Sequence, residues 1–390
     1  MSEGPLTRLT DFGQSPWLDF IQRGLLESGD LGRMIERWGL RGITSNPAIF
    51  EQAIAKTHDY DGEIARLAKL GKNAVDIYET LALADVRAAA DLFLPVFEES
   101  RGTDGFVSLE VSPRLAREAH GTIGEARRLW TALARPNVMI KVPGTPAGLT
   151  AIRSLLAEGI NVNVTLLFCV ERYREVLDAY SDGLEEASVS GRPIEGIASV
   201  ASFFLSRIDT AVDDELEPIA NSGGARGAAA KELIGETAIA SARCAYREFE
   251  MHALSARWRD LAARGAQPQR LLWASTGAKN PRYSDIKYVE PLIGPHTVTT
   301  LPLETIEAYH ERGRPAQRLV GTGESGRKTL DALARLGVAL DRITARLLEQ
   351  GIRKFIEPYD RLLESIEAQR AAVLAPGLSA GENGGVGLGR

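Results

Sequence analysis

The chain has 390 residues, of which 44% are hydrophobic and 25% are charged, and its formal net charge at pH 7 is −6. This composition is typical of globular domains, and the acidic balance excludes the basic surface that nucleic-acid binding requires. The sequence also lacks the apolar run of a transmembrane helix, the apolar core of a signal peptide and a disulfide framework, so we expect a cytoplasmic protein that binds no membrane.

Short apolar or alternating segments recur along the chain and predict eight strands, at residues 16–21, 42–47, 105–111, 137–143, 161–168, 197–204, 270–276 and 296–302. Helix signals lie between them. Thr145 followed by Pro146 predicts the start of one helix, and Thr122 with Glu125 fits a capping box that predicts the start of another. Strands that alternate with helices predict an α/β fold with a parallel sheet, and eight repeats predict a closed (β/α)8 TIM barrel. A doubly wound open sheet is the alternative.

Two connections are much longer than the others, at about residues 48–104 and 205–269. Both carry helical patterns, so they predict extra helices packed on the barrel, and the chain after residue 303 predicts a helical C-terminal extension. We therefore expect residues 1–373 to form a single domain. The Gly-rich segment 374–390 has little to bury and predicts a flexible tail.

The segment NVMIKVP (137–143) places Lys141 in the middle of an apolar strand. The chain contains only nine lysines against thirty-seven arginines. Removing a charge from water costs several kcal/mol, and a desolvated lysine can lose its proton whereas arginine cannot. An amine rather than a mere positive charge is therefore indicated at this position.

Strand side chains alternate between two faces, and the apolar face must contact the helices. The opposite face carries Glu110, Lys141 and Thr165 into the barrel, near the carboxyl ends of three successive strands. Asp19 and Asn46 have similar late positions on the first two strands. An ion pair that only fills the barrel is the structural alternative for Lys141 and Glu110. It does not account for the other polar side chains at the same end, where this fold carries out catalysis.

An amine, a carboxylate and a hydroxyl around a water are suited to imine chemistry. The neutral lysine would attack a ketose carbonyl, and Glu110, a water and Thr165 would transfer the protons of dehydration. Asp19 would take the proton from the hydroxyl of the carbon that is released. The five histidines show no metal-ligand spacing, so we expect no structural or catalytic metal.

The sequence resembles the transaldolase family, and most closely its longer bacterial members, through seven motifs: WLD (17–19), GITSNPAIF (42–50), VSLEVSPR (107–114), IKVPGTPAGL (140–149), GINVNVTLLF (159–168), SFFLSRID (202–209) and YVEPLIG (288–294). The resemblance implies a (β/α)8 barrel without a cofactor. It also implies transfer of a dihydroxyacetone unit from sedoheptulose 7-phosphate to glyceraldehyde 3-phosphate in the pentose phosphate pathway, which yields erythrose 4-phosphate and fructose 6-phosphate.

The resemblance also implies a role for each matching residue. Lys141 would form the Schiff base, Asp19 would be the acid/base of the aldol step, and Glu110 and Thr165 would manage the catalytic water. The implied binding residues are Asn46 and Asn163 for substrate hydroxyls or the imine intermediate, and Ser202 and Arg207 for phosphate. Many members have an arginine after the seventh strand, where this chain reads ASTGAKNPR, so Lys279 or Arg282 would take its place.

Two other functions fit the same residues. A Schiff-base phosphosugar aldolase or an isomerase on this barrel would use the same kind of site, and a non-catalytic paralogue would only bind sugar phosphates. The expected partners are thus small-molecule sugar phosphates, and a homo-oligomer is compatible with the sequence.

Overall fold

A closed barrel of eight parallel strands forms the centre of the protein, in a computed structural model that describes residues 4–375. The strands are β1 Gln14–Asp19, β2 Gly42–Thr44, β3 Phe106–Glu110, β4 Val138–Pro143, β5 Val162–Leu167, β6 Ser199–Phe204, β7 Arg270–Ala274 and β8 Thr297–Leu301. Each strand pairs with its neighbours in chain order, and β8 pairs with β1. Every predicted strand segment overlaps one of these strands, so the predicted (β/α)8 barrel is confirmed.

Helices surround the barrel. They are α1 Arg23–Glu27, α2 Asp30–Trp38, α3 Pro47–Ala55, α4 Asp61–Lys69, α5 Ala74–Glu99, α6 Ala119–Leu133, α7 Pro146–Ala157, α8 Val170–Val189, α9 Ser206–Asn221, α10 Gly224–Leu233, α11 Thr237–Ala253, α12 Ala256–Ala263, α13 Leu303–Arg312, α14 Gly323–Arg335 and α15 Leu340–Leu374. Short 3-10 helices occur at Thr7–Phe12, Pro113–Leu115 and Glu290–Leu292. The predicted extra helices are α3 to α5 in the first long connection and α9 to α12 in the second, and the helical C-terminal extension is also confirmed.

The first turns of α6 and α7 test the helix signals read from the sequence. The Thr145 hydroxyl accepts a hydrogen bond from a backbone N–H in the first turn of α7 at 3.0 Å, as an N-cap does. The predicted capping box at Thr122 and Glu125 is wrong, because α6 already begins at Ala119. The Glu125 carboxylate instead accepts a hydrogen bond from the backbone N–H of Ser112 at 3.0 Å, which ties α6 to the turn after β3.

Alternation along the strands separates the hydrophobic core from the polar interior of the barrel. Val162 and Val164 of β5 are fully buried, and Asn163 lies between them on the opposite face, toward the barrel interior. Inside the barrel, Trp17 of β1 is in register with Gly42 of β2, where an added Cβ would lie 2.5 Å from the indole ring. A glycine is therefore required for this tryptophan to fit.

The helix α15 lies against the carboxyl ends of the strands. Its Gly351 is close to Leu166 of β5, and Arg361 forms two hydrogen bonds of 2.7 and 2.9 Å with the carboxylate of Glu51 on α3. Within residues 4–375, none of the helices has both the length and the apolar character needed to cross a membrane. The single domain at residues 1–373 stays a prediction, and residues 376–390 of the predicted tail lie outside the described residues.

Candidate active site

A cavity of about 660 Å³ opens at the carboxyl end of the barrel. Six of the predicted site residues line it: Asp19, Asn46, Lys141, Ser202, Arg207 and Lys279. The remaining three, Glu110, Asn163 and Thr165, are buried on β3 and β5, the two strands that flank β4 and its Lys141. The geometry thus gathers most residues of the sequence-based prediction in one cavity at the end of the barrel where catalysis occurs in this fold.

Lys141 projects from β4 into the barrel and not toward the helices. Its Nζ donates a hydrogen bond to the backbone oxygen of Ser45 at 3.1 Å and lies 3.7 Å from Oε2 of Glu110. Glu110 is the residue in register with Lys141 on β3. The amine is 5.9 Å from the centroid of the Phe355 ring, which covers it from α15. A buried amine that lines a cavity is placed to react with a bound carbonyl compound.

Burial raises the pKa of Glu110 to about 7, against the opposing effect of Lys141. The carboxylate of Asp19 raises this pKa further. Within the described part of the chain, Oε2 of Glu110 and Oγ1 of Thr165 are both buried without a hydrogen-bond partner. Glu110 can therefore both give and take a proton near neutral pH, and a water molecule would satisfy both oxygens.

Asp19 is half-buried at the end of β1 and lines the cavity. Burial raises the pKa of its carboxyl group, and the nearby charge of Glu304 adds to this effect. The positive charges of Lys141, Lys279 and Arg207 oppose it. The carboxylate, the amine and the two further cations all line the same cavity.

Hydrogen bonds orient the side-chain amides of Asn163 and Asn46, two of the predicted binding residues. Asn163 donates from Nδ2 to the hydroxyl of Ser108 at 3.0 Å and accepts at Oδ1 from the hydroxyl of Ser202 at 2.7 Å. This chain of bonds crosses the barrel interior from β3 to β6 and sets the orientation of the amide. Asn46 caps α3, where its Oδ1 accepts from the backbone N–H of Ile49 at 3.1 Å. The Asn46 amide nitrogen is then the group left for a ligand.

The structure distinguishes between the two cations proposed for the segment after β7. Lys279 lines the cavity, whereas the guanidinium of Arg282 is exposed and forms an ion pair with Glu217 of α9. Arg207, in the first turn of α9, also lines the cavity, and burial lowers its pKa. Lys279 is therefore the cation that accompanies Arg207 in this site.

Sequence reasoning missed Lys354 and Phe355, which α15 adds to the cavity wall. Both lie beyond the motifs that carry the family resemblance, and a helical pattern alone does not show which turn faces a cavity. The small number of lysines was an available signal, since three of the nine, Lys141, Lys279 and Lys354, line this cavity. Among residues 4–375, no group of three or more His, Cys, Asp or Glu side chains is arranged to hold a metal ion.

Comparisons with known proteins show the family of this chain. The model of the family described as Transaldolase/Fructose-6-phosphate aldolase matches residues 16–366. A protein named Transaldolase from Trichodesmium erythraeum is 46% identical over 368 residues, which cover 93% of this chain and 96% of the relative. Relatives of the same name from Thiobacillus denitrificans (47% identical; 91% of this chain and 97% of the relative) and Thermobifida fusca (46%; 94% and 99%) are similar over nearly their whole length. The chain belongs to the transaldolase/fructose-6-phosphate aldolase family.

Proposed function

We propose that the chain transfers a dihydroxyacetone unit from sedoheptulose 7-phosphate to glyceraldehyde 3-phosphate through a Schiff base at Lys141, in the cytoplasm and as part of the pentose phosphate pathway. The products are erythrose 4-phosphate and fructose 6-phosphate. The family and its relatives make the chain an enzyme, a transferase of the transaldolase type. The single observation that supports the residue assignment is the buried Nζ of Lys141, which lines the cavity 3.7 Å from a carboxyl group.

Formation of the imine begins when the neutral Lys141 amine attacks the C2 carbonyl of the ketose and gives a carbinolamine. Loss of water then needs a proton donor. Glu110, whose pKa is raised to about 7, supplies this proton through a water held between it and the hydroxyl of Thr165. The same groups run in reverse when the imine is hydrolysed, because the carboxylate can then activate the water.

Cleavage of the carbon chain follows on the protonated imine. The carboxylate of Asp19 takes the proton of the C4 hydroxyl, the C3–C4 bond breaks, and its electron pair moves to the iminium nitrogen to leave an enamine on Lys141. The aldose leaves, and the acceptor aldehyde adds to the enamine by the reverse sequence, with Asp19 returning the proton. The electrons balance without an external oxidant or reductant.

Substrate binding uses the other predicted residues in the cavity and the buried Asn163 beside it. The amides of Asn46 and Asn163 hold hydroxyl groups of the substrate or of the imine-bound intermediate. Ser202, Arg207 and Lys279 bind the terminal phosphate, since a guanidinium can bind two phosphate oxygens at once and an ammonium adds a point charge. This assignment is supported by their positions in the cavity wall. Ser202 lies near the carboxyl end of β6, Arg207 follows this strand at the start of α9, and Lys279 follows β7.

The alternative within the same family is an aldolase that releases free dihydroxyacetone, and the family description includes fructose-6-phosphate aldolase. Both enzymes need the lysine, so the fate of the three-carbon unit separates them. We expect transfer from fructose 6-phosphate to an aldose phosphate acceptor, measured as sedoheptulose 7-phosphate formation from erythrose 4-phosphate, to exceed release of dihydroxyacetone. Release without transfer would identify an aldolase, and binding of sugar phosphates without either product would identify a binding protein.

Borohydride reduction tests the proposal directly. In the presence of fructose 6-phosphate, it should attach one three-carbon adduct per chain, at Lys141, as read by peptide mass spectrometry. Lys141→Arg should abolish both the adduct and turnover, because arginine cannot supply a neutral amine. Lys231→Arg, on the exposed side of α10, is the matched control and should keep both. An adduct at another lysine, or none, would refute the mechanism.

A further inference from the structure

Asp209 and Tyr288, which belong to two of the family motifs, have no role in the mechanism above, yet they contact each other in the fold. SFFLSRID ends in Asp209, in the first turn of α9, and YVEPLIG begins with Tyr288, ahead of β8. The Tyr288 hydroxyl donates a hydrogen bond to Oδ2 of Asp209 at 2.8 Å. The other oxygen of Asp209 accepts from the backbone N–H of Ala238 at 2.7 Å, and the aspartate is fully buried.

A second pair repeats the arrangement one turn further along α9. Asp213 accepts hydrogen bonds from the hydroxyl of Tyr283 at 2.5 Å and from the backbone N–H of Gly235 at 2.8 Å. Gly235 has φ +77°, and an added Cβ would lie 2.6 Å from the Tyr283 hydroxyl. The Lys287 ammonium lies 3.8 Å from the centroid of the Tyr283 ring and donates to the backbone oxygen of Gly235. We call Asp209, Asp213, Tyr283 and Tyr288 the Asp–Tyr clamp.

The clamp joins the two segments that carry the cations of the cavity. At the other end of these segments, the N–H of Ser206 donates to the backbone oxygen of Ser275 at 3.0 Å, and the two hydroxyls are 2.9 Å apart. Arg207 lies between Ser206 and the clamp on α9. Lys279 lies between Ser275 and the clamp in the segment after β7. Each cation is therefore held between two points at which the segments are bonded together.

We infer that the Asp–Tyr clamp, through its Asp209–Tyr288 and Asp213–Tyr283 pairs, is a positioning element for phosphate binding, which sets the spacing between the Arg207 guanidinium and the Lys279 ammonium. The inference rests on the phosphate site of the proposed function. Phosphate recognition by two cations depends on their separation, and a misplacement of about 1 Å costs much of the binding. Neither Asp209 nor Tyr288 lines the cavity, so they act through the two segments and not on the substrate.

The variant Tyr288→Phe removes the hydroxyl and keeps the ring. We expect the KM for glyceraldehyde 3-phosphate and the inhibition constant of inorganic phosphate to rise about 3- to 10-fold, which corresponds to the loss of about one hydrogen bond. The KM for unphosphorylated glyceraldehyde and kcat should change less than about twofold. Tyr180→Phe is the matched control, because its buried hydroxyl donates to the backbone oxygen of Gln267 at 2.6 Å, at the opposite end of the barrel.

Each result decides the inference. A selective loss with the phosphorylated compounds supports it, and an equal change with both aldehydes, or a lower melting temperature alone, overturns it. Tyr283→Phe replaces Tyr288→Phe if the latter does not fold. Arg207→Met separates this inference from the proposed function. If Arg207→Met fails to discriminate between the two aldehydes, the phosphate site itself is wrong. If it discriminates and Tyr288→Phe does not, only the positioning role is wrong.

Discussion

Nζ of Lys141 and Oε2 of Glu110 lie 3.7 Å apart on neighbouring strands, at positions that are in register. A buried ion pair that serves only stability is expected to close to about 2.8 Å, because a direct contact offsets most of the hydration that the two charges have lost. Here the two groups stay beyond direct hydrogen-bond distance, and Lys141 also lines the cavity. The amine therefore lies beside the carboxyl group of Glu110 and also faces the cavity, where it can reach a bound carbonyl compound.

Glu110→Gln tests the proton transfer of imine formation. Because the pKa of Glu110 is raised to about 7, its protonated fraction falls about tenfold between pH 6 and pH 8. Dehydration of the carbinolamine needs the protonated form, so the rate constant of imine formation should fall about tenfold over this range. In Glu110→Gln this rate constant should be about 10²–10⁴-fold lower and independent of pH.

Rapid-quench borohydride trapping with fructose 6-phosphate measures this rate constant. Glu36→Gln, at an exposed position on α2, is the control and should keep the wild-type profile. A Glu110→Gln variant that still shows the decline above pH 7 would assign the titration to another group.

Asp19→Asn should separate carbon–carbon cleavage from imine formation. An amide cannot accept the proton of the C4 hydroxyl, so cleavage should slow about 10²–10⁴-fold. Attack by Lys141 does not need that carboxylate, and the trapped adduct should form within a few-fold of the wild-type rate. The measurement compares adduct formation with release of glyceraldehyde 3-phosphate in one single-turnover reaction. Equal losses in both steps would contradict the assigned role, and Asp11→Asn, at an exposed carboxylate, should change neither.

Local patterns were sufficient to predict the barrel and the centre of the site. The alternation in each strand fixes which side chains face inward, and pairing between adjacent parallel strands then brings Lys141 beside Glu110 without further information. Alternation does not predict the direction of Leu166, which has φ +61°. At this residue the register between β5 and β6 shifts, between Val164 and Leu167. There the backbone departs from the regular strand on which the alternation depends.

The parts that were missed depend on contacts between distant segments. The sequence could not decide between Lys279 and Arg282, because both lie in an irregular segment where no periodicity sets the direction of a side chain. In the structure, Tyr283 and Tyr288 are hydrogen-bonded to α9, and Lys279 lines the cavity. Phe355 reaches Lys141 because α15 crosses the mouth of the barrel, and the pattern of a helix does not identify the surface on which it docks.

Gly351→Ala tests whether close docking of α15 shapes the cavity. An added Cβ would lie 2.9 Å from Cδ2 of Leu166, and because this side chain is buried among other core residues, it can shift only by displacing them. Alanine is a better helix former than glycine by about 1 kcal/mol, so without this contact the change would stabilise the protein. The overpacking should outweigh that gain and lower the free energy of unfolding by about 1–3 kcal/mol. Displacement of Phe355, one turn further along α15, should also lower kcat a few-fold.

Gly124→Ala is the matched control, because Gly124 is exposed in α6 and an added Cβ would meet nothing within 4 Å. It should raise the free energy of unfolding by about 0.4–1 kcal/mol and leave kcat unchanged. Urea denaturation and steady-state kinetics of both variants make the comparison. If the two alanines have the same effect, α15 does not dock on β5 through this glycine. If Gly351→Ala lowers the free energy of unfolding but leaves kcat unchanged, α15 does dock on β5 through this glycine. The position of Phe355 over Lys141 is then independent of that contact.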